Sequence, residues 1–332
     1  MRVYFLGAGA SKSFYAGSPN SRVAPGGQLG LPTASELTLN HLLNASHYET
    51  PPCPEIESLR SFARLRGVDP TRLDAPVENV LDIFEGHNKE YRALRICLMS
   101  RLWVHDTSNT GPLVKWLACV RESRAALLTT NYDTVLERGI GKLTTPVNRR
   151  PLRDRGLIDY GVAPGLLAPK YCGVARSAWP NSILLLKLHG SISWAFCETC
   201  KTGELDPAYR DLAGNALAGA ENCANCSSLL SPVLVGPTKK QYRHPIIESI
   251  FRSAREALEQ ADEIVFAGFS LSPSDERIRE LLAHARQIAR TTRVFIVDQN
   301  SEGLRERYRE VYGDAVQEIA PMDWRQYLLS IA

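Results

Sequence analysis

The sequence lacks a hydrophobic run of the roughly 20 residues that a membrane-spanning helix needs. It also lacks an excess of one charge, because 39 lysine and arginine residues face 36 aspartate and glutamate residues, for a net charge of +3. This balance gives no electrostatic reason to expect binding to a nucleic-acid backbone or a membrane surface. The first residues run from a short apolar stretch directly into glycines, without the segments of a signal peptide. We therefore expect a cytoplasmic protein that contacts no membrane and no nucleic acid directly.

Internal repeats are also missing at the periods of about 20–50 residues that solenoids and propellers show. The 332 residues are 44% apolar and 23% charged, close to the average of globular proteins, which excludes a disordered or fibrous chain. Eight cysteines are too few for a disulfide scaffold in a chain of this length. Half of them nevertheless stand in two close pairs, and this arrangement indicates a metal site.

Each cysteine pair has two residues between its members, and the paired residues are Cys197, Cys200, Cys223 and Cys226. The spacing is typical of a zinc ribbon, in which each pair places two sulfur atoms on one ion. Four thiolates leave no coordination position for water, so the predicted zinc is structural. The alternative is four reduced surface thiols. The other cysteines are far apart in the sequence, and we expect them to be small buried residues: Cys53, Cys97, Cys119 and Cys172.

Short apolar runs alternate with helical patterns along most of the chain. Such runs are typical of strands that are buried on both faces of a parallel sheet. We predict strands at residues 3–6, 125–129, 183–188, 263–267 and 293–297. Helical patterns separate them at 246–260, at 275–288 and over a mainly helical stretch at about 34–122. The alternation predicts an α/β protein, with a Rossmann-like parallel sheet and helices on both of its faces.

Each predicted strand ends in a polar or glycine-rich turn. The turns are Gly7-Ala8-Gly9-Ala10-Ser11, Thr130-Asn131-Tyr132-Asp133, His189-Gly190-Ser191, Gly268-Phe269-Ser270 and Asp298-Gln299-Asn300. In an open parallel sheet, ligands bind outside the carboxyl ends of the strands. These turns therefore predict a ligand crevice along one edge of the sheet.

Several residues in these turns are of types that bind ligands or transfer protons, and each also has a purely structural interpretation. Gly7 and Gly9 let backbone N–H groups approach a pyrophosphate, or else simply allow a tight turn from a strand into a helix. His189 suits proton transfer at neutral pH, although a histidine at a strand end is commonly structural. Asp133 is placed either to bind a carboxamide or to cap the helix that begins near Thr134.

Three further positions have the same double interpretation. Asn131 is either a turn residue or a hydrogen-bond partner for a ribose or a water molecule. Asp298 stands where an acid commonly meets a ribose hydroxyl, or it is an exposed turn aspartate. Ser274 or Asp275 is expected to cap the next helix. Near the end of the sequence, four apolar residues are expected to form a helix that packs on the core, with assembly as the alternative: Trp324, Tyr327, Leu328 and Leu329.

Taken in order, these motifs resemble those of the sirtuin (silent-information-regulator) family. The order is Gly-Ala-Gly-Ala-Ser, Thr-Asn-Tyr-Asp, Leu-His-Gly-Ser, two Cys-x2-Cys pairs, Gly-Phe-Ser, and a last strand that ends at Asp298. The resemblance extends from Gly7 to about Asn300. It implies one NAD-binding domain over residues 1–332, with a helical insert at about 34–122 and a zinc ribbon at about 195–230.

The resemblance also implies a role for each residue. Asn131 matches the asparagine that positions the nicotinamide ribose and a water, and His189 matches the histidine that acts as a base on the ribose hydroxyls. Asp133 matches the aspartate that contacts the nicotinamide carboxamide. The other residues implied to contact NAD come from the turns after four of the strands: Gly7, Ala8, Gly9, Ser11, Thr130, Gly268, Phe269, Ser270, Asp298 and Asn300.

Two segments depart from the pattern of deacylating sirtuins. Residues 30–33 (Gly-Leu-Pro-Thr) stand where those enzymes carry a Pro-Asp-Phe-Arg-type segment. Residues 235–240 (Val-Gly-Pro-Thr-Lys-Lys) replace a Phe-Gly-Glu-type segment that pairs with an acyl-lysine peptide, and proline interrupts such pairing. The Thr-Asn-Tyr-Asp motif and the Leu-His-Gly-Ser-x-x-Trp motif, which Trp194 completes, look like those of prokaryotic sirtuin-like proteins that consume NAD in antiphage defence.

The resemblance therefore implies an NAD hydrolase that releases nicotinamide and ADP-ribose as a gated effector of antiphage defence. NAD is then the substrate, and zinc is a structural ion. An NAD-dependent protein deacylase is the first alternative, and a non-catalytic subunit that binds NAD or ADP-ribose is the second. Because an unrestrained hydrolase would kill its host, we expect control by homo-oligomerisation or by a separately encoded partner, such as an NTPase or an Argonaute-like protein.

Overall fold

The computed structural model describes the sheet, the helices around it and the cysteine pairs. The described residues are 1–14, 38, 54–66, 74, 84, 89–91, 93–94, 110–143, 156–176, 180–207, 215–216, 219–234, 243–273, 275–289 and 292–331. Within these ranges, no helix is both long enough and apolar enough to cross a membrane.

The main sheet has seven parallel strands among the described residues, in the order β10-β9-β8-β1-β2-β4-β3. The strands are β1 (Arg2–Leu6), β2 (Ala126–Thr129), β3 (Ile158–Asp159), β4 (Ile183–Lys187), β8 (Glu263–Ala267), β9 (Arg293–Val297) and β10 (Val316–Ala320). All five predicted strands are confirmed. The sequence patterns did not indicate the two edge strands β3 and β10, since one has only two residues and the other contains Gln317 and Glu318.

Helices pack on both faces of this sheet, as predicted. They are α1 (Ala8–Lys12), α2 (Pro54–Leu65), α3 (Gly111–Ser123), α4 (Val135–Gly141), α5 (Pro245–Glu259), α6 (Glu276–Ile288), α7 (Ser301–Tyr312) and α8 (Trp324–Ser330). Short 3-10 helices occur at Pro164–Leu166, Pro169–Val174 and Gly313–Ala315. Of the predicted helical insert, α2 and α3 are described and helical, while most of residues 67–109 lies outside the described residues.

Adjacent residues of β1 show how the two faces are covered. The Tyr4 ring lies 5.0 Å from the ring of Trp116 on α3 and 5.9 Å from that of Trp324 on α8. The next residue, Phe5, instead packs 5.5 Å from the ring of Phe266 on β8. Side chains alternate between the faces of a strand, so β1 is buried on both sides. Trp324 is buried in this contact, which confirms that the last helix packs on the core.

A second, antiparallel sheet follows β4 directly. It consists of β5 (Gly190–Cys197), β6 (Thr202–Leu205) and β7 (Ser231–Leu234), in the order β6-β5-β7. Every residue of β5 is buried. The strand begins next to His189 and ends at Cys197, so one strand connects the predicted base with the cysteine pairs.

The order in which strands are added to the sheet reverses at one position, next to β1. From β1 the chain continues to β2 and β4 on one side, and it then returns to form β8, β9 and β10 on the other. Ligands of open α/β sheets bind at such a switch point, outside the carboxyl ends of the strands. The topology therefore places the candidate site at the ends of β1, β2 and β8.

A buried ion pair lies beneath the turn that follows β2. The Lys187 Nζ atom, on β4, is 3.0 Å from Oε1 of Glu137 on α4, and both side chains are at most 1% exposed. Lys187 also donates a hydrogen bond to the main-chain oxygen of Asp133, and the Tyr160 hydroxyl lies 3.4 Å from the same Glu137 oxygen. Burial raises the pKa of Glu137, while the Lys187 charge opposes that rise. The pair thus fixes the position of the turn after β2.

We expect Lys187→Met to destabilise the protein by about 3–5 kcal/mol, because the change leaves Glu137 buried without its counter-charge. The double variant Lys187→Met/Glu137→Leu should recover part of that loss, since it removes both charges. The control is Arg309→Met, which breaks an ion pair with Glu306 whose side chains are 48% and 78% exposed, and which should cost less than about 1 kcal/mol. Urea unfolding measures the free energy of unfolding of the three variants. An equal loss in Lys187→Met and Arg309→Met would contradict the prediction.

Candidate active site at the sheet edge

The turns after β1 and β8 touch each other through their backbones. The Gly9 amide donates to the Gly268 carbonyl at 3.1 Å, and the Gly7 amide donates to the Ala267 carbonyl at 2.9 Å. A Cβ atom on Gly7 would lie 2.3 Å from the Gly268 oxygen, which is closer than any side chain permits. Glycine at these positions is therefore required by the contact between the turns.

Asn131 joins the turn after β2 to the turn after β1. Its Nδ2 group donates to the Gly7 carbonyl and to the Ser11 hydroxyl, each at 2.8 Å. The Asn131 amide N–H in turn donates to the Thr129 hydroxyl at 3.0 Å. Because an amide nitrogen has two protons and both are used, the side chain offers its oxygen Oδ1 as an acceptor to a ligand.

His189 follows β4 and is held beside the Asn131 turn. Its ring centroid is 5.9 Å from that of Tyr132. The Leu188 amide donates to the Thr129 carbonyl at 2.8 Å, and the Ile192 amide donates to the Tyr132 carbonyl at 3.0 Å. Hydrogen bonds on both sides of His189 therefore fix it to the segment that carries Asn131.

The environment of His189 keeps its imidazole neutral. The side chain is 4% exposed, and burial lowers its pKa from the usual 6.5 to about 4. A neutral imidazole can accept a proton at pH 7, which is the state that a general base needs. The Nε2 atom lies 3.8 Å from Oδ1 of Asp275, at the start of α6.

The helix-capping alternative for Asp133 is confirmed in part. Its Oδ1 accepts a hydrogen bond from the Val135 amide at 2.9 Å, at the first residue of α4. Of the two residues expected to cap α6, Ser274 lies outside the described residues. Asp275 occupies the capping position, but its carboxylate accepts no bond from the helix amides, so this alternative is wrong. Its side chain lies beside His189 instead.

The remaining predicted NAD contacts differ in how they are placed. The Phe269 side chain is buried with its ring 4.5 Å from that of Phe5, so it belongs to the core. Ser270 is exposed at the sheet edge.

After β9, Asp298 accepts a hydrogen bond from the Asn300 amide at 2.8 Å, which shapes the turn. Ala8 lies in α1 and Thr130 is half-buried after β2.

The four paired cysteines come together as predicted. Their sulfur atoms all lie within 4.8 Å of one another, with Cys197 and Cys226 at 3.5 Å and Cys200 and Cys223 at 3.8 Å. Four sulfurs at about 2.3 Å from a tetrahedral zinc ion are about 3.8 Å apart, so the cluster has the size that zinc requires. Amide groups of Cys200 and Asn225 point at the sulfurs of Cys197 and Cys223.

The prediction that the other cysteines are buried is wrong for two of them. Cys119 and Cys172 are both exposed, the first on the outer side of α3 and the second in a 3-10 turn. The residue type indicates a preference for burial but does not indicate which side of a helix or turn it occupies. Cys53 and Cys97 lie outside the described residues, as do residues 30–33 and 235–240.

Sequence reasoning missed two features of this site. Asp275 looked like an ordinary helix cap, and its position beside His189 depends on the path of the loop after β8. Lys187 did leave a signal, since a lysine within an apolar strand that is buried on both faces needs a buried partner. That partner, Glu137, is 50 residues away in the sequence.

A family model described as a SIR2-like domain matches residues 125–316, more than half of the chain. The chain therefore belongs to the SIR2-like family. The matched range includes Asn131, His189, all four paired cysteines and Asp275.

Solved structures with similarity to this chain include Sir2 proteins. A Sir2–p53 peptide–NAD+ structure is 15% identical, with a TM-score of 0.46, and the alignment covers 100% of this chain and 91% of that one. A mutant Sir2 homologue in complex with 2'-O-acetyl ADP ribose is 15% identical, with a TM-score of 0.48 and coverage of 99% and 89%. A search of curated proteins finds no match to this chain.

We expect Gly268→Ala to destabilise the protein by at least about 2 kcal/mol, because the φ angle of Gly268 is +56° and a Cβ would lie 2.2 Å from the Ala10 nitrogen. Gly111→Ala is the matched control, since nothing lies within 4 Å of its new Cβ. That change should leave stability the same or slightly higher. Thermal and urea unfolding compare the two, and equal stability would contradict the contact between the turns.

We also expect Cys223→Ser to lose bound zinc and to lower the unfolding temperature, because three thiolates hold the ion less tightly and the ribbon needs it to fold. Cys172→Ser is the control, since this exposed thiol lies outside the cluster. Zinc per chain, measured by mass spectrometry of the purified proteins, should fall only in Cys223→Ser. Equal zinc content in both variants would show that the cluster does not bind the metal.

Proposed function

We propose that this SIR2-like chain is an NAD hydrolase, which converts NAD+ and water to nicotinamide, ADP-ribose and a proton. The supporting observation is that Asn131 and His189 belong to two strand ends that are hydrogen-bonded together. One side chain offers a fixed acceptor oxygen, and the other is a neutral imidazole at pH 7. These are the two groups that hydrolysis of a ribosyl bond needs at the sheet edge.

The reaction assigns a distinct task to each residue. The nicotinamide–ribose bond breaks, and nicotinamide leaves with the electron pair of that bond, so positive charge develops on the ribose. Asn131 Oδ1 accepts a hydrogen bond from a ribose hydroxyl or from the water that attacks the anomeric carbon. His189 takes the proton released, and such a base contributes about 10²–10⁴-fold to the rate.

The turns after β1 and β8 are the proposed site of the pyrophosphate and of the adenosine half of NAD. The contacts come from Gly7, Ala8, Gly9, Ser11, Thr130, Gly268, Phe269 and Ser270, with Asp298 and Asn300 at the adenosine ribose. Phe269 can contribute only its backbone, because its ring is in the core. Asp133 has one oxygen engaged with α4 and would bind the carboxamide through the other.

Zinc has a structural role in this proposal. Cys197, Cys200, Cys223 and Cys226 would hold the ion and thereby stabilise the ribbon, and four sulfur ligands leave no position for a catalytic water. The sequence between β6 and the second cysteine pair contains few large apolar residues that could form an independent core. The ribbon then supports β5, whose first residue follows His189.

We expect His189→Ala to lower nicotinamide release from NAD by about 10²–10⁴-fold, because the variant removes the base. Asn131→Ala should lower the rate as well. The control is His284→Ala, whose exposed imidazole pairs with Glu259 on the outside of α6 and should leave the rate unchanged. Release of nicotinamide is measured by chromatography, and undiminished release by His189→Ala would contradict the assignment.

The same assay separates the alternatives. A protein deacylase uses the same NAD site but needs an acylated peptide before it releases nicotinamide. A strict requirement for acetylated peptide would therefore show that the protein is a deacylase and not a hydrolase. Tight NAD binding without turnover, in the presence of the product of the neighbouring gene, would indicate the non-catalytic subunit.

We further propose that the hydrolase acts in antiphage defence and is held inactive until a partner or self-assembly releases it. This gating is expected because uncontrolled loss of NAD kills the host cell. An NTPase or an Argonaute-like protein is the kind of partner proposed. Mass measurement together with the assay tests this, and a fully active monomer without any partner would contradict it.

A further inference from the structure

Asp275 is a buried carboxylate whose position no helix cap explains. It stands directly before α6, at the capping position, but its side chain accepts no hydrogen bond from the amides of that helix. The residue is 7% exposed, and among the described residues its Oδ1 atom has no hydrogen-bond partner. An unpartnered carboxylate oxygen is costly to bury, so its location calls for a role.

The group opposite this oxygen is the imidazole of His189. The distance from Oδ1 to Nε2 is 3.8 Å, slightly longer than a hydrogen bond, and both side chains are at most 10% exposed. The two residues come from separate parts of the sheet edge, the end of β4 and the loop after β8. The fold, rather than sequence proximity, brings them together.

Two features of the loop after β8 are described near Asp275. Leu271 has a left-handed φ angle of +48° and is completely buried. The Asp275 amide then donates to the Ser272 carbonyl at 3.1 Å. A non-glycine residue adopts this conformation at a cost, so its neighbours hold the loop in place.

Charged side chains on the surrounding elements pair elsewhere. Lys187 on β4 pairs with Glu137, Arg277 on α6 pairs with Glu248 on α5, and Arg279 on α6 pairs with Glu310 on α7. Asp133, after β2, accepts from an α4 amide, and the Tyr132 ring packs beside His189. The Asp275 carboxylate, in contrast, faces the imidazole of His189.

We propose that Asp275 is the positioning residue for His189, which orients the imidazole through Nε2 and stabilises the positive charge that the ring gains when it takes a proton. The kinetic consequence of this pairing rests on the proposed hydrolase activity, whereas the pairing itself does not depend on that activity. It assigns to Asp275 the task that the buried aspartate performs beside the histidine of a hydrolytic triad.

Burial, and not the other residue of the pair, shifts the pKa of each group. Burial lowers the pKa of His189 to about 4 and raises the pKa of Asp275 to about 6. At pH 7 the imidazole is therefore neutral and the carboxylate is charged, the pair of states that a base and its supporting group need. Below about pH 6, Asp275 becomes protonated and loses the charge that stabilises an imidazolium.

The kinetic test compares Asp275→Asn with wild type from pH 5 to pH 8. Asparagine has the same shape but cannot ionise, so we expect nicotinamide release at saturating NAD to fall about 10- to 1,000-fold, while KM changes little. The acid limb of the wild-type profile, with an apparent pKa of about 6, should disappear. Asp275→Glu should restore part of the rate, because it restores the charge.

The matched control is Asp323→Asn, which removes a true capping aspartate at the start of α8, where Oδ1 accepts from the Gln326 amide at 2.8 Å. Because asparagine caps a helix about as well as aspartate, this variant should keep the wild-type stability, rate and pH profile. A wild-type rate and an unchanged acid limb in Asp275→Asn would overturn the proposal. An equal rate loss in Asp275→Asn and Asp275→Glu would also overturn it, because a supporting charge must be rescued by glutamate.

A second measurement does not depend on turnover. Nitrogen NMR of histidine-labelled protein at pH 7 reports which ring nitrogen carries the proton, and His189→Ala identifies the His189 signal among the seven histidines. We expect the proton on Nε2 in wild type and a shift towards the other tautomer in Asp275→Ala. Identical tautomers would refute the pairing, whereas absence of NAD turnover in wild type would refute only the proposed hydrolase.

Discussion

The candidate site depends on the close approach of two backbone turns. The turns after β1 and β8 occupy a space that admits no side chain at Gly7 or Gly268, and amide groups from one turn bond to carbonyls of the other. This contact lies where the strand order reverses, which is the position at which open α/β sheets bind their ligands. Asn131 then connects the β2 turn to the same point through both of its amide protons.

The sequence predicted those parts of the fold that depend on local pattern. A strand that is buried on both faces needs a continuous apolar run, and all five such runs became strands. The cysteine pairs were equally predictable, because two residues between sulfurs define a knuckle that folds locally. The sequence pattern did not predict β10, because Gln317 and Glu318 interrupt its apolar residues at the edge of the sheet.

The parts that could not be predicted depend on contacts between distant residues. An aspartate before a helix looks the same in sequence whether its carboxylate caps that helix or turns away, and Asp275 turns away. The exposure of Cys119 depends on which side of α3 faces solvent. Lys187 indicated a buried partner, but only the packing of α4 on β4 shows that the partner is Glu137.

Two polar groups with contrasting behaviour lie at the end of β4 and directly after it. Lys187 forms a permanent ion pair beneath the turn, while His189, two residues later, stays neutral in a buried environment. Lys187 holds the turn after β2 in a fixed position. The imidazole of His189, beside that turn, can change its protonation state. A site of this kind combines a rigid support with one group that is free to exchange a proton.

The strand that begins at Gly190 and ends at Cys197 joins two distant parts of the protein. Its eight residues extend about 26 Å at the usual rise of a strand, and they connect a thiolate cluster with the segment that carries His189. The strand is buried along its whole length and is paired with β6 and β7, so both ends belong to one small sheet. A change at the cysteine cluster therefore has a continuous structural connection to the segment that carries His189.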